Sequence, residues 1–331
     1  MQFPIVRASG SHYEVGVTIG KTMREGITQV LDNSRKIFKD DYPKRLKESL
    51  PFQEQTTKYF PHYMDELRGM ADGAQVSFDD LFLSNNREVA DFDPFILDPN
   101  HCTIVGVPHQ GEYLVGHNED WDASSLSLLY VLDATVDGTK IFSLNYANNI
   151  IGDAASINGC GLIQGINELW HQDAQMGVPK NFIARAVLDC KTLEEAEGVI
   201  KTIPRAAGWN HVLTQGGRLW NMESSANEYV IEKIEFAKYA HTNHYLTGLK
   251  RIDKANPESE KRYEKVKREL EHVNAVEDIK RLLSDRNEPR ICRESTIGSV
   301  VFDIPNKVAH IAYGQPTPES YVEYSLAHVL Q

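Results

Sequence analysis

From Ser11 to Phe38, in SHYEVGVTIGKTMREGITQVLDNSRKIF, apolar residues recur at the three- and four-residue spacing of a helix with one buried face. Ser11 stands in front of the run as a capping residue. A second run, FPHYMDELRGMADGAQVSFDDLFLSNN, predicts two short helices broken near Gly73. From Thr103 onward the texture changes to β-branched runs separated by turn signals at His109-Gln110-Gly111, Asp137-Gly138, Asn158-Gly159, Gly216-Gly217 and Pro305-Asn306. Such dipeptides supply the positive φ of tight hairpin turns, so the flanking runs predict antiparallel hairpins.

Two further helical stretches interrupt the hairpins. KTLEEAEGVIKTI offers Thr192 and Glu195 as a capping box, and NPESEKRYEKVKRELEHVNAVEDIKRLLSD places Pro257 at a first helical position with mixed charges, as on a solvated face. No repeat, low-complexity tract or linker splits the chain. Helices first and hairpins later predict a single α+β domain, in which two sheets stack and helices cover both outer faces.

Composition narrows the function. Of 331 residues, 41% are hydrophobic and 25% charged, and the formal net charge is -12. Nucleic-acid backbones and anionic membranes both demand clustered cationic surface, so neither is an expected partner; a small neutral or cationic ligand suits the chain better. No apolar run has membrane length, and the N-terminus lacks a basic segment followed by an apolar core. Cysteines 102, 160, 190 and 292 show neither Cys-x-x-Cys pairing nor histidines at zinc spacing. They are expected to be free thiols of a reducing compartment, without metal or other cofactor, and the expected location is cytoplasmic.

Cys102 stands where the helical part gives way to the sheets. Around it, ELRGMADGA, CTIV, GHNED (a Gly-x-Asn-x-Asp motif), SINGCG, GVPKNFIARAVL and HTNHYL follow one another in an order that resembles the acyl-coenzyme A:6-aminopenicillanic acid acyltransferase family. That family is also called isopenicillin N acyltransferase-like or peptidase C45, and it belongs to the N-terminal-nucleophile hydrolases. The resemblance implies a four-layer αββα sandwich, made as a precursor that cuts itself between His101 and Cys102. Residues 1–101 would then be a helical segment and 102–331 a β segment of one domain. The family carries glycine before its cysteine, where this chain has His101.

A thiol is a good nucleophile only as thiolate, and a free α-amine, with a reference pKa near 8, can take its proton within the same residue. Cys102 is thus expected to be nucleophile and, through its amine, general base. The resemblance implies that Asp120 of GHNED lies beside the nucleophile, and that Asn243 of HTNHYL donates its side-chain NH₂ to the tetrahedral oxyanion. Glu119 and Asp122 are expected to be solvated or structural, Asn118 to fix backbone geometry, and His241 and His244 to be structural. Ser225 and Ser295 fall near positions where the family uses serines in processing or substrate binding, and Asn210 is a further candidate for the cleft. Cys160, Cys190 and Cys292 are expected to serve packing.

The expected function is a self-processing amidohydrolase or acyltransferase that acts on a small N-acyl amine through an acyl-cysteine. One alternative is an acyl-CoA-dependent N-acyltransferase on a penicillin-like nucleus, whose thioester donor could meet Arg251, Lys261 and Lys265; another is an uncleaved, non-catalytic ligand-binding relative.

Overall fold

The computed structural model describes residues 2–90, 102–170, 173–253 and 256–330. His101, and with it the expected cleavage position, lies outside the described residues.

The chain opens with β1 (Ile5–Gly10), followed by α1 (His12–Thr22), α2 (Arg24–Phe38), α3 (Tyr42–Tyr59), α4 (Pro61–Ala74), α5 (Phe78–Asn85) and α6 (Arg87–Ala90). Ser11 caps α1 as expected: its side chain accepts from the Glu14 amide while the Glu14 carboxylate accepts from the Ser11 amide at 2.8 Å. The two helices expected here form, as α4 and α5, and the break between them falls just beyond Gly73. Gly73 lies inside α4, which ends two residues later at Gln75 in the left-handed conformation (φ 60°). Gly73 itself also serves contact. Gly16 and Gly20 on α1 face Gly69 and Gly73 on α4, and a Cβ at any of the four would stand 2.1–2.3 Å from a carbonyl oxygen of the opposing helix.

The remaining strands are β2 (Thr103–His109), β3 (Glu112–Asp120), β4 (Leu129–Val136), β5 (Thr139–Tyr146), β6 (Ala155–Asn158), β7 (Ile163–Asn167), β8 (Asn210–Gln215), β9 (Arg218–Ser224), β10 (Tyr229–Glu235), β11 (Tyr239–His241), β12 (Thr296–Asp303), β13 (Val308–Tyr313) and β14 (Val322–Ser325). Between them lie α7 (Lys180–Leu188), α8 (Leu193–Thr202), α9 (Pro257–Leu270) and α10 (Val276–Leu283). Gln110-Gly111 and Asp137-Gly138 have positive φ at both positions, the geometry that lets two-residue turns follow strand twist.

The strands form an eight-stranded sheet, ordered β1-β4-β5-β6-β7-β8-β9-β10, and a six-stranded sheet, ordered β11-β2-β3-β12-β13-β14. Pairing is antiparallel except β1 on β4. Alternation along the second sheet shows why four layers result. Ile104, Val115, Val300 and Phe302 turn toward the first sheet and join the main core, while Val105, Val107, Leu114 and Val301 turn outward onto Val266, Leu270 and Ile279 of α9 and α10. The sheets meet closely: a Cβ on Gly106 of β2 would lie 2.4 Å from Leu219 of β9. Helices α1, α7 and α8 contact the first sheet. The architecture is therefore αββα, as expected. No helix among the described residues is long and apolar enough to cross a membrane.

Candidate active site

Strand register assembles the site. Because β11 runs antiparallel to β2 with His241 opposite Ile104, continuing the ladder two residues sets Asn243 opposite Cys102. On the other side Thr103 faces Asn118, so Glu119 falls opposite Cys102. Directly opposed antiparallel residues share a face. Glu119 therefore shares the inner face with Cys102, and residues two apart follow suit: His117 joins them, while Asn118 and Asp120 turn to the opposite face.

The contacts agree. Cys102 is only 5% exposed; its N–H donates to Asn243 Oδ1 at 3.0 Å, and its Sγ lies 3.7 Å from Glu119 Oε2. Glu119, also 5% exposed, accepts from Tyr146 Oη at 2.7 Å on one oxygen, and His117 Nε2 lies 2.8 Å from the other. Nδ1 of His117 is buried without a partner. A hydrogen there would be a stranded buried donor, so the ring N–H is placed on Nε2, where it donates to Glu119.

On the opposite face, Asn118 donates to the carbonyls of Leu283 and Ile291, at 2.9 and 3.2 Å. Asp120 accepts from Thr296 Oγ1 at 2.5 Å, and its second oxygen is buried without a hydrogen-bond partner. Burial pushes the Asp120 carboxyl up to about 6, against the pull of the Arg262 guanidinium. Arg262, 2% exposed on α9, donates to Asn243 Oδ1 at 2.5 Å and to the Cys102 carbonyl at 3.3 Å. Burial drives the Cys102 thiol well above its usual range and the Glu119 and Asp120 charges add to this, while the Asp120 backbone N–H and Arg262 oppose it. A thiol so placed is protonated at neutral pH.

Two donors, Arg262 and the Cys102 N–H, fix the oxygen of the Asn243 amide toward Cys102. Its NH₂ donates to the Glu168 carbonyl at 3.2 Å. The structure thus brings Asn243 to Cys102 by its acceptor end and leaves its NH₂ directed toward Glu168.

Cys102 and Glu119 line a cavity of about 300 Å³ whose wall includes Arg87, Trp121, Tyr146 and Asp153. Glu168, also on this wall, is matched by Arg87 at 3.5 Å and Lys180 at 2.5 Å, and Trp209 Nε1 donates to it at 2.9 Å. The remaining wall carboxylates are Glu119 and Asp153.

The three secondary candidates lie elsewhere. Asn210 is buried in β8, bonded to Asn221 of β9. Ser225 Oγ donates to Asp173 at 2.7 Å and accepts from the Glu228 amide at 3.1 Å, a turn-holding role. Ser295 borders a separate cavity with Arg262 and Arg293, and its carbonyl accepts from the Trp121 amide at 2.8 Å. His241 Nε2 lies 2.9 Å from Glu223 and His244 Nδ1 lies 2.8 Å from Ser259 Oγ. Three expectations change. Of the two alternatives for Glu119, solvated or structural, burial removes the first; Cys160 is exposed, unlike the other three free thiols; and Arg251, Lys261 and Lys265 do not form an unmatched patch, being paired with Glu228, Glu258 and Asp285. Arg262 was hidden in a charged run, yet Ser259, Arg262, Val266 and Leu270 form one buried stripe, and a lone arginine in that stripe was the available signal. For Glu119 the two-residue period of β3 offered only a choice between it and Asp120, which the register decides.

Two clusters among the described residues have metal-compatible spacing, His12–His62–Asp189 and Cys102–His117–Glu119. In both, the carboxylate is already engaged: Asp189 by Tyr63 and Arg185, Glu119 by Tyr146 and His117.

The fold is a layered αββα sandwich with Cys102 at the head of β2, on the wall of a cavity. The model of the acyl-coenzyme A:6-aminopenicillanic acid acyl-transferase family matches residues 108–318, and the chain belongs to that family. The match includes Asp120, Asn243 and Arg262 and begins just after Cys102. The chain is 30% identical over 223 residues to the beta-alanyl-dopamine/carcinine hydrolase of Drosophila melanogaster, a match spanning 60% of this chain and 57% of that protein. Among solved structures, it is similar to an N-acylethanolamine-hydrolyzing acid amidase ortholog of Caenorhabditis elegans (TM-score 0.47, 13% identity, 61% of this chain and 92% of that one). It is also similar to a single-residue variant of conjugated bile acid hydrolase from Clostridium perfringens (TM-score 0.49, 11% identity, 69% and 93%).

Proposed function

We propose that this chain is a self-processing N-terminal-cysteine amidohydrolase of small N-acyl amines. One observation carries the reading: the Cys102 nitrogen, at the head of β2, is held by the Asn243 oxygen and the Cys102 carbonyl by Arg262, with the thiol at the floor of the cavity. Freed by cleavage after His101, that nitrogen would be an α-amine already anchored beside its own thiol, with a reference pKa near 8. It would take the thiol proton. The sulfur would then bond to the substrate's amide carbon, the C–N bond would break, and the amine would leave with the proton. Water would hydrolyse the thioester and restore the thiol. The Asn243 NH₂ has a second N–H beyond the one given to Glu168, and this is the candidate donor to the oxyanion.

Residues 1–101 and 102–331 would stay together after cleavage as one domain, because β1 pairs with β4 and helices of the first segment share the main core with the sheets. Glu119 on the cavity wall, joined by Asp153 when it is ionised, favours an amine with cationic character. The pairing of Arg251, Lys261 and Lys265 with carboxylates leaves no ready phosphate rim there for a coenzyme A donor, which supports hydrolysis over transfer. Intact mass and N-terminal sequencing of active protein should show two pieces, the second beginning at Cys102, and Cys102→Ala should give a folded, uncut, inactive chain. An active protein of undivided full-length mass would refute the reading.

A further inference from the structure

The α-amine cannot serve while the chain is uncut, since the Cys102 nitrogen is then an amide that donates to Asn243 and has no lone pair to offer a proton. Self-processing therefore needs another base for a deeply buried thiol. We propose that Glu119 takes the Cys102 thiol proton in the uncut chain, held for that task by His117 and Tyr146. The proposal rests on the self-processing reading above.

The geometry supplies the case. Glu119 Oε2 is 3.7 Å from Sγ, on the face of the sheet that register assigns to the thiol. The Asp120 carboxyl is on the other face, where one oxygen accepts from Thr296 and the group lies in the field of Arg262. Tyr146, reaching across from the first sheet, and His117 occupy one Glu119 oxygen each and leave Oε2 a lone pair for the S–H. His117 and Tyr146 are positioning residues.

In the step itself, Glu119 accepts the S–H proton as sulfur bonds to the carbonyl carbon of residue 101. The bond from that carbon to the Cys102 nitrogen breaks, and the proton held by Glu119 passes to the leaving nitrogen. Water then hydrolyses the thioester, leaving a carboxyl at residue 101 and a free thiol and amine on Cys102. Protons balance without a co-reactant other than water. Once the amine exists it can take over the thiol proton.

The charged and titratable groups facing Glu119 are His117 and Cys102 from its own sheet, Tyr146 and Asp153 from the first sheet side, and Arg87, Asp120 and Arg262 around them. Burial pushes Asp153 up to about 7, so every comparison is run both with Asp153 and with Asp153→Asn.

The test follows cutting of freshly synthesised full-length chain by intact mass after jumps to pH 6–9. Wild type should cut at a rate that changes little over this range, because the chain and not hydroxide supplies the base. Glu119→Gln should cut roughly 10²–10⁴-fold more slowly near pH 6 and recover about tenfold per pH unit, as hydroxide replaces the lost base. Tyr146→Phe should slow cutting but keep the wild-type profile. If Glu119→Gln does not fold by circular dichroism, Glu119→Asp, which keeps the base but retracts it, should show slowed cutting with the wild-type profile. Wild-type rates in Glu119→Gln, a slowed rate with an unchanged profile in a folded Glu119→Gln, or a rising profile in Glu119→Asp would overturn the assignment while leaving self-processing intact. A wild-type chain that never cuts yet turns over substrate would overturn both.

Discussion

Replacing Asp120 by asparagine in a Cys102→Ala background, where no cleavage intervenes, should change stability in a pH-dependent way that can be worked out beforehand. The Asp120 carboxyl is fully buried and titrates at about 6 instead of 3.8. Between those values the native state keeps a proton that the unfolded chain has lost, so it binds more protons and stability falls as pH rises through the window. Above it, the ionised carboxylate costs the fold about 3 kcal/mol, at 1.36 kcal/mol per pH unit. Asparagine has no such cost. It keeps the acceptor for Thr296 but replaces the unpartnered oxygen with an unpartnered NH₂, a pH-independent penalty of about 1–3 kcal/mol. The difference in unfolding free energy between the two proteins should therefore shift in favour of asparagine by about 2 kcal/mol from pH 4.5 to pH 8, whatever its starting value. Urea unfolding followed by tryptophan fluorescence at several pH values measures this directly. A constant difference across that range would mean that Asp120 titrates normally and that the account of its burial is wrong.

Arg262→Leu in the same uncut background should cost about 3–5 kcal/mol at pH 8, because it strips the countercharge from buried Asp120, and less near pH 5, where Asp120 is protonated; urea unfolding at the two pH values reads this, and in the Cys102 protein mass spectrometry should show processing lost. Gly69→Ala should cost about 2–3 kcal/mol, since the new Cβ would sit 2.1 Å from the Tyr13 carbonyl oxygen and force α1 and α4 apart; thermal unfolding checks it, with exposed Gly111→Ala, which meets no atom but sits at positive φ, as the comparison for backbone strain alone.

Much of this protein was written locally. Capping at Ser11 and Thr192, Pro257 at the head of a helix, and tight turns at Gln110-Gly111 and Asp137-Gly138 are properties of a few adjacent residues, and each formed where local chemistry placed it. Layering, too, was legible, because helices followed by hairpins have few ways to bury their apolar faces. The prominence of Cys102 came from its position at the change of texture and from the family motifs around it.

What only tertiary structure decided is which partner each of these residues meets. The helix break near Gly73 was legible, but the reason that position is glycine was not: α1 comes within backbone contact there, and nothing near Gly73 in sequence announces α1. The charged run of α9 reads as solvent-facing, but docking on the second sheet turns Arg262 inward onto Cys102 and Asn243, residues 160 and 19 positions away. Within GHNED the motif drew attention to Asp120. A strand sends successive side chains to opposite faces, so the pairing of β2 with β3 was bound to put either Asp120 or Glu119 beside the thiol, and only the register, Thr103 against Asn118, selects Glu119.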